Sequence, residues 1–565
     1  MKLRTFAAVA IAALLISCIP AGVHGQENPS SPPKEAYYNY VMGYQAEIEG
    51  RWDDALERYR DALAYDPDSA FLKTQVIEVL MKTGNIDEAL AVAEETVKEH
   101  PDYVPALSHL AQLLTSRQRT GDAIEVYRRI VELDPDLDVA YLHLGVLYSS
   151  MQDFDKAREV LRKLLEKKPN EATGHFYMGV IELEDEKLDS ARSHLEKAVE
   201  LNPMFDSAYV NLGIIAEQQG NSAEAEEYYN KAIEVNPHNF LAREKLAQFY
   251  IKQEDPDKAV EELKVMRSLE PSNIDIHMKL AFLYLEQGEY QLAITEFGSV
   301  LSSHPEEIVP RYYMALALEE LERYDEAIEE MKRILELDPK YKNAYLHLGF
   351  IYSMQERYEE AAGTYERLLE FEKDEPAIYD HLANVYIQME KYEEAEELLS
   401  EALTRHKDSA DLHFDLAVVY EKTGRFQSMV GELRRTIELD QNHADALNYL
   451  GYSFADRGMN LDEALELIRR AIDLKPQSGY IRDSLGWAYF KAGKYEKALE
   501  ELSKAAELVG DDPVIYDHLA DTHLALGDKE KALEAWRKAL EAEEEGEKGL
   551  KDSIREKIRL HEKSE

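Results

Sequence analysis

Thiols are almost missing from this chain: its 565 residues include one cysteine, Cys18. Beyond that position no disulfide framework, cysteine-ligated metal site or cysteine nucleophile can be built. Proline and glycine are also scarce, at 19 and 26 residues, which argues against loop-rich or low-complexity architecture. Positive charge is outnumbered, with 65 Lys and Arg against 112 Asp and Glu, for a formal net charge of −47. A field of that sign repels phosphate backbones, so nucleic acid is not an expected partner. No P-loop, dinucleotide fingerprint, His-Glu-x-x-His or Gly-x-Ser-x-Gly is found, and neither an enzyme nor a cofactor is expected.

The only long apolar run is Phe6 to Ile16, which is too short to cross a bilayer as a stable helix. With Lys2 and Arg4 before it, it has the form of an export signal over residues 1–25. Two cleavage readings stay open. Leu15-Ile16-Ser17-Cys18 has the form of a bacterial lipobox, which would lipidate Cys18 and anchor the chain on the periplasmic side of the outer membrane. Val23-His24-Gly25 before Gln26 has the form of an ordinary signal-peptidase site, which would leave a soluble periplasmic protein. Residues 26–35, with Ser30, Ser31, Pro32 and Pro33, read as a short linker.

Charged residues make up 31% of the chain, and Ala, Leu, Glu and Lys dominate, as in long amphipathic helices. The pattern repeats every 34 residues. A small residue marks position 8 (Gly145, Gly179, Gly213, Ala247, Ala281, Ala315, Gly349), Ala marks position 20 (Ala123, Ala157, Ala191, Ala225), and Pro marks position 32 (Pro135, Pro169, Pro203, Pro237). Small residues let two helices approach closely. Gly at position 15 (Gly50, Gly84, Gly220) makes the turn between them, and Pro stops the second helix. Aromatics at positions 11 and 24, such as Tyr148 and Tyr229, are expected to fill the space between repeats.

These registers resemble the tetratricopeptide repeat. The resemblance implies an all-α, right-handed superhelical solenoid of about fifteen helix-turn-helix repeats over residues 36–545, in which stacking buries a continuous core. Residues 546–565, with Leu550, Ile554 and Ile558 at helical spacing, read as a C-terminal capping helix. Lys373, Lys407 and Gln441 replace Pro at position 32, and one extra residue enters the turn at Gly458-Met459-Asn460-Leu461. The chain is therefore expected to be softest near residues 405–460.

In repeats of this kind, positions 2, 5, 9 and 12 of the first helix line a concave groove. Here those positions give an apolar row that includes Tyr40, Tyr44, Phe176, Phe282, Tyr312, Phe350, Phe414, Tyr452, Trp487 and Phe490. Such a row on a highly charged chain predicts a surface that binds proteins or peptides, with Trp487 as its anchor. Asp380, Asp411, Asp415, Asp483 and Asp517 make the C-terminal part acidic, so its partner is expected to be basic with apolar anchors. Histidine recurs at position 6, as His109 with His143 and His347 with His381. Inter-repeat hydrogen bonds are expected of these residues, and no metal site, since a third ligand is lacking.

Three stretches carry a narrower resemblance: NYLGYSFADRGMNLDEALELIRRAIDLKP, DSLGWAYFKAGKYEKALEEL and VIYDHLADTHLALGDKEKALEAWRKAL, between residues 448 and 540. They are similar to the C-terminal repeats of Gram-negative lipoproteins that act as adaptors for a periplasmic carboxyl-terminal processing protease. That resemblance implies a scaffold bringing the protease together with cell-wall hydrolases. Related repeats also occur in scaffolds for secretion, pili, polysaccharide export and outer-membrane assembly, and that alternative stays open.

Overall fold

The computed structural model describes residues 33–542 and 549–562. The export segment, both cleavage readings and Cys18 lie outside the described residues. Among those described there are 31 helices and no strand. The first thirty form fifteen hairpins, from Lys34–Ile48 with Trp52–Tyr65 to Pro513–Ala525 with Lys529–Glu541. We call the two members of each hairpin helix A and helix B, and count repeats from residue 36.

The described residues divide into two compact units, one up to Leu280 and one from Ala281. In the first, buried aliphatic side chains such as Ile77, Leu113, Leu161 and Leu195 belong to cores shared by successive hairpins. In the second, Leu399, Leu433, Ile468 and Leu502 do the same. Each hairpin alone is too thin to cover its apolar side, and burial by the next one supplies the stabilisation.

Close packing within a repeat explains the small residue at position 8. A Cβ added to Gly213 would lie 2.5 Å from the Tyr229 ring, and one added to Gly43 would lie 2.7 Å from Tyr59. Position 24 therefore lies over the glycine of its own repeat, which corrects the expectation that it fills the space between repeats. Contact with the next repeat comes second, as with Tyr229 and Phe249 at 6.2 Å.

Helix A ends on a residue in the left-handed region. Gly84 has φ +78° there, and the Asn85 N–H reaches back to the Leu80 carbonyl at 2.9 Å, a helix-terminating pattern that glycine favours. Repeats without glycine force Gln118, Gln152, Glu186, Glu254, Glu322, Glu356 and Glu390 into the same conformation, at φ 56–61°.

A contact that the sequence registers do not reveal fixes the other turn. A donor at position 4 of helix A bonds to the carbonyl six residues earlier, at position 32. Arg311 donates to Pro305 O at 2.7 Å, Arg482 to Pro476 O at 3.0 Å and Tyr345 Oη to Pro339 O at 3.1 Å. Where Pro is replaced, the carbonyl is still held: Tyr379 donates to Lys373 O at 3.2 Å, and His413 Nε2 lies 3.1 Å from Lys407 O. Gln441 O accepts from Arg470 at 2.9 Å.

The helix Leu550–Glu562 packs on the last hairpin, burying Ile554 against Trp536 and its neighbours. Its Lys557 bonds to Asp517 and Asp521 at 2.8–2.9 Å.

Candidate functional site

The side chains offered to solvent by helix A are clearest at position 9. Tyr44, Phe282 and Phe350 all stand there, with 51%, 38% and 52% of their surface exposed. Phe282 keeps its orientation through edge contacts with Tyr313 at 4.8 Å and Phe297 at 5.6 Å. Tyr40, at position 5, is half-buried against Tyr59 and Phe71. Phe176 lies against Phe205 at 4.6 Å, Tyr312 meets Tyr341 and His347 edge-on, and Phe414 packs on His443 and Tyr449. These three and Tyr452 are half-buried. The predicted row thus separates into three exposed position-9 rings, Tyr44, Phe282 and Phe350, and rings held between neighbouring helices, which include the position-5 aromatics and, at position 9, Tyr452 and Trp487.

The C-terminal members are different. Trp487 is 8% exposed. Its ring is sandwiched by His518 at 4.0 Å and Phe490 at 4.8 Å, with near-parallel planes at 14° and 4°. Its Nε1 donates to Asp456 at 3.2 Å, and Lys491 Nζ lies 4.7 Å from the ring centre. Trp487 is therefore a packing residue and not an exposed anchor. Asp483 is buried against His518 Nδ1 at 2.9 Å. Asp517 is buried and accepts from Trp536 Nε1 and Lys557 Nζ, both at 2.8 Å. Neither carboxylate is a free acidic lining, because each charge is matched within the chain. Burial disfavours charge on His518, but Asp483, then Asp517 and Asp521, outweigh it and raise its pKa.

The position-6 histidines likewise have separate partners. His109 Nε2 lies 3.2 Å from Glu78, and His347 Nδ1 lies 3.2 Å from Glu319. His143 stacks on Tyr127 at 5.1 Å, and burial pushes its pKa down to about 4. His381 packs on Tyr365 at 5.6 Å. Among the described residues, no group of three or more His, Cys, Asp or Glu side chains is arranged to hold a metal ion.

Position 5 of one helix A faces position 6 of the next, 35 residues on. That rung pairs Glu244 with Lys279 at 3.0 Å and Asp483 with His518 at 2.9 Å. Between repeats eleven and twelve it brings two acids together, Asp380 and Asp415. Asp415 is only 4% exposed, and no donor reaches its Oδ2. Burial first, then the charge of Asp380 and a hydrogen bond shared with it, and then Asp411, push the Asp415 pKa up to about 9. Asp380 and Asp411 open onto a cleft of about 830 Å3, also lined by Glu375, Pro376, Arg405 and Lys407. Composition pointed to acids here; that two of them share one rung was visible only through the 35-residue offset.

Tetratricopeptide repeat models match this chain at residues 48–114, 114–175 and 250–319, at 207–239 and 228–261, at 312–376, and at 351–548. The chain belongs to the tetratricopeptide-repeat proteins, and its fold is that of a protein-binding scaffold. It is similar to a TPR repeat-containing protein of Pseudomonas aeruginosa, with 41% identity over 73 residues. That match covers 13% of this chain and spans only 12% of the relative's own length. Among solved structures, it is similar to Naa15/Naa10 bound to HypK-THB, with 12% identity, a TM-score of 0.35, and coverage of 93% of this chain and 100% of that one. The Cut9-Hcn1 structure gives 12% identity and a TM-score of 0.36, covering 86% and 96% of the two chains. Yeast Tom70 gives 14% identity and a TM-score of 0.33, covering 94% and 96%.

Proposed function

We propose that this protein is an exported scaffold that holds protein partners along its helix-A faces, and that those partners are basic segments with apolar anchors. The observation that carries the reading is the set of exposed position-9 aromatics, Tyr44, Phe282 and Phe350, on a chain whose net charge is −47. Exposed rings on such a surface forgo the stabilisation that burial would give, and a partner that covers them recovers it. The acidic field draws basic partners and speeds their encounter.

In this reading the partner set joins a periplasmic carboxyl-terminal processing protease to cell-wall hydrolases. The support is the resemblance of residues 448–540 to adaptor lipoproteins. The chain is placed in the periplasm by its export signal, held at the outer membrane if Cys18 is lipidated and soluble if cleavage follows Gly25. No helix of the described residues is long and apolar enough to cross a membrane.

The test is affinity capture from envelope extract with wild type and a Phe282→Ala, Phe350→Ala variant. Recovery of a protease with a cell-wall hydrolase, both lost in the variant, is the expected result. Secretion or outer-membrane assembly components would instead make this a scaffold for such a machine. Partners retained in full by the variant would show that the position-9 rings are not the binding surface.

A further inference from the structure

We infer that Asp380, Asp411 and Asp415 form a receptor for one lysine or arginine side chain of a bound partner, and that the proton shared by Asp380 and Asp415 is released when that cation enters. The inference rests on the groove reading above and adds a place, a chemical group and a linked proton.

Three observations converge on this rung. On the same ladder, Glu244 meets Lys279 and Asp483 meets His518, so the geometry accommodates an acid and a base across neighbouring helices. Between repeats eleven and twelve both members are acids, and the cationic member of the pair is missing from the chain itself. The second observation is the buried Oδ2 of Asp415, which no donor satisfies. A buried acceptor left unpaired costs about 1–3 kcal/mol; Asp415 stands outside the lining of the neighbouring cleft, so a ligand acts on it through Asp380, with which it shares a hydrogen bond. The third is the cleft onto which Asp380 and Asp411 open, about 830 Å3 in volume and large enough for a long side chain.

The charged groups around Asp415 are consistent with this role. Its own helix, Ala410–Lys422, supplies Asp411, and the preceding helix A supplies Asp380, with His381 Nδ1 3.4 Å from it. The end of the preceding helix B, Tyr392–Arg405, and the turn after it supply Arg405 and Lys407 at the rim of the cleft. On helix B of the same repeat, Glu432 is engaged by His413 and Arg435 by Asp408. From the next helix A, His443 approaches Asp411 at 3.5 Å and not Asp415. The groups that act on the Asp415 carboxyl are the two acids beside it.

Two adjacent carboxyls in a poorly hydrated site cannot both ionise cheaply, and they hold one proton between them. An arriving ammonium or guanidinium reverses that preference. The Asp415 O–H bond breaks, its proton passes to solvent, and the Asp380 and Asp411 carboxylates, which line the cleft, bond to the ligand's N–H groups, a charge-assisted contact stronger than a neutral one. The ligand keeps its charge and its proton count.

The experiment uses the mature full chain and two fluorescein-labelled, amide-capped peptides of alternating leucine and serine. One carries a single central lysine, and the other carries norleucine in its place. Release of one proton makes affinity for the lysine peptide rise about tenfold per pH unit between about pH 6 and about pH 8, while the norleucine peptide shows no such slope. Asp415→Asn, whose amide can still bond to Asp380, should keep binding lysine but lose the slope. Asp380→Asn should lose the preference for lysine over norleucine. Equal affinity for the two peptides, a lysine affinity that does not change with pH, or no lysine binding at the highest pH would each overturn the receptor. Groove binding itself is judged separately by the Phe282 and Phe350 capture experiment and can survive that failure.

A second measurement needs no ligand. The raised pKa of Asp415 means that the folded chain keeps a proton the unfolded chain has lost, so stability falls as pH rises from about 4 toward about 9. Asp415→Asn should raise the melting temperature at neutral pH and flatten that decline. A decline of unchanged steepness in the variant would overturn the shared proton.

Discussion

Tyr229 occupies the space that any side chain on Gly213 would need, with the added Cβ only 2.5 Å from the ring. Tyr229 is fully buried, so the ring cannot swing into solvent without losing its packing. Gly213→Ala is therefore expected to destabilise the sixth repeat by about 1–3 kcal/mol, the usual cost of forcing a methyl into a filled core; urea unfolding followed by circular dichroism measures it. At His518 the carboxylates of Asp483, Asp517 and Asp521 outweigh the effect of burial and raise the pKa. A raised value means that the folded state favours protonation. The stabilisation is present in full below the unfolded histidine value of about 6.5 and is lost as pH rises through the folded value. In thermal melts, His518→Asn should be less stable than wild type at low pH, with the gap narrowing as pH rises. A gap independent of pH would mean that His518 carries no charge in the fold.

At the scale of one hairpin, missing prolines led to the expectation of a soft stretch near residues 405–460. The position-4 bond changes its physical basis. Tyr379 and His413 hold the carbonyls of Lys373 and Lys407 at the distances seen where Pro is present. Proline's part is to end helix B by lacking an N–H, and the side-chain bond fixes where the chain goes next. The extra residue of the thirteenth repeat has no such substitute, and Gly458 and Asn460 both adopt positive φ, at 64° and 47°. Hydrogen exchange is therefore expected to be fastest in the turn at residues 457–461, with slower exchange in the two preceding inter-repeat turns at residues 405–409 and 439–443. Uniform protection over 405–460 would remove the soft point altogether. The bond was hidden in the sequence because Arg311, Tyr345 and His413 share only the ability to donate, not size or charge class.

Across the whole molecule, acids outnumber bases by 112 to 65, and surface ion pairs of about 0–1 kcal/mol each cannot neutralise that excess. Added salt at 0.1 M screens the repulsion between exposed charges more than about 10 Å apart. The melting temperature is expected to rise with salt, while capture of basic partners weakens over the same range. Capture that does not change with salt would mean that apolar contacts alone hold the partner. The repeat, the helices and their turns were legible from the residues because helix periodicity, glycine turns and proline stops are local, and the pattern recurs every 34 residues. The roles of the acids were not. Asp483 and Asp517 read as free groove charges like Asp380, yet His518, Trp536 and Lys557 satisfy them, and the same stacking turned Trp487 inward. Whether a carboxylate is paired depends on the residue one helix away, some 35 positions along the chain. Only the stacked helices bring those residues together, and only there does Asp415 meet a second acid in place of a base.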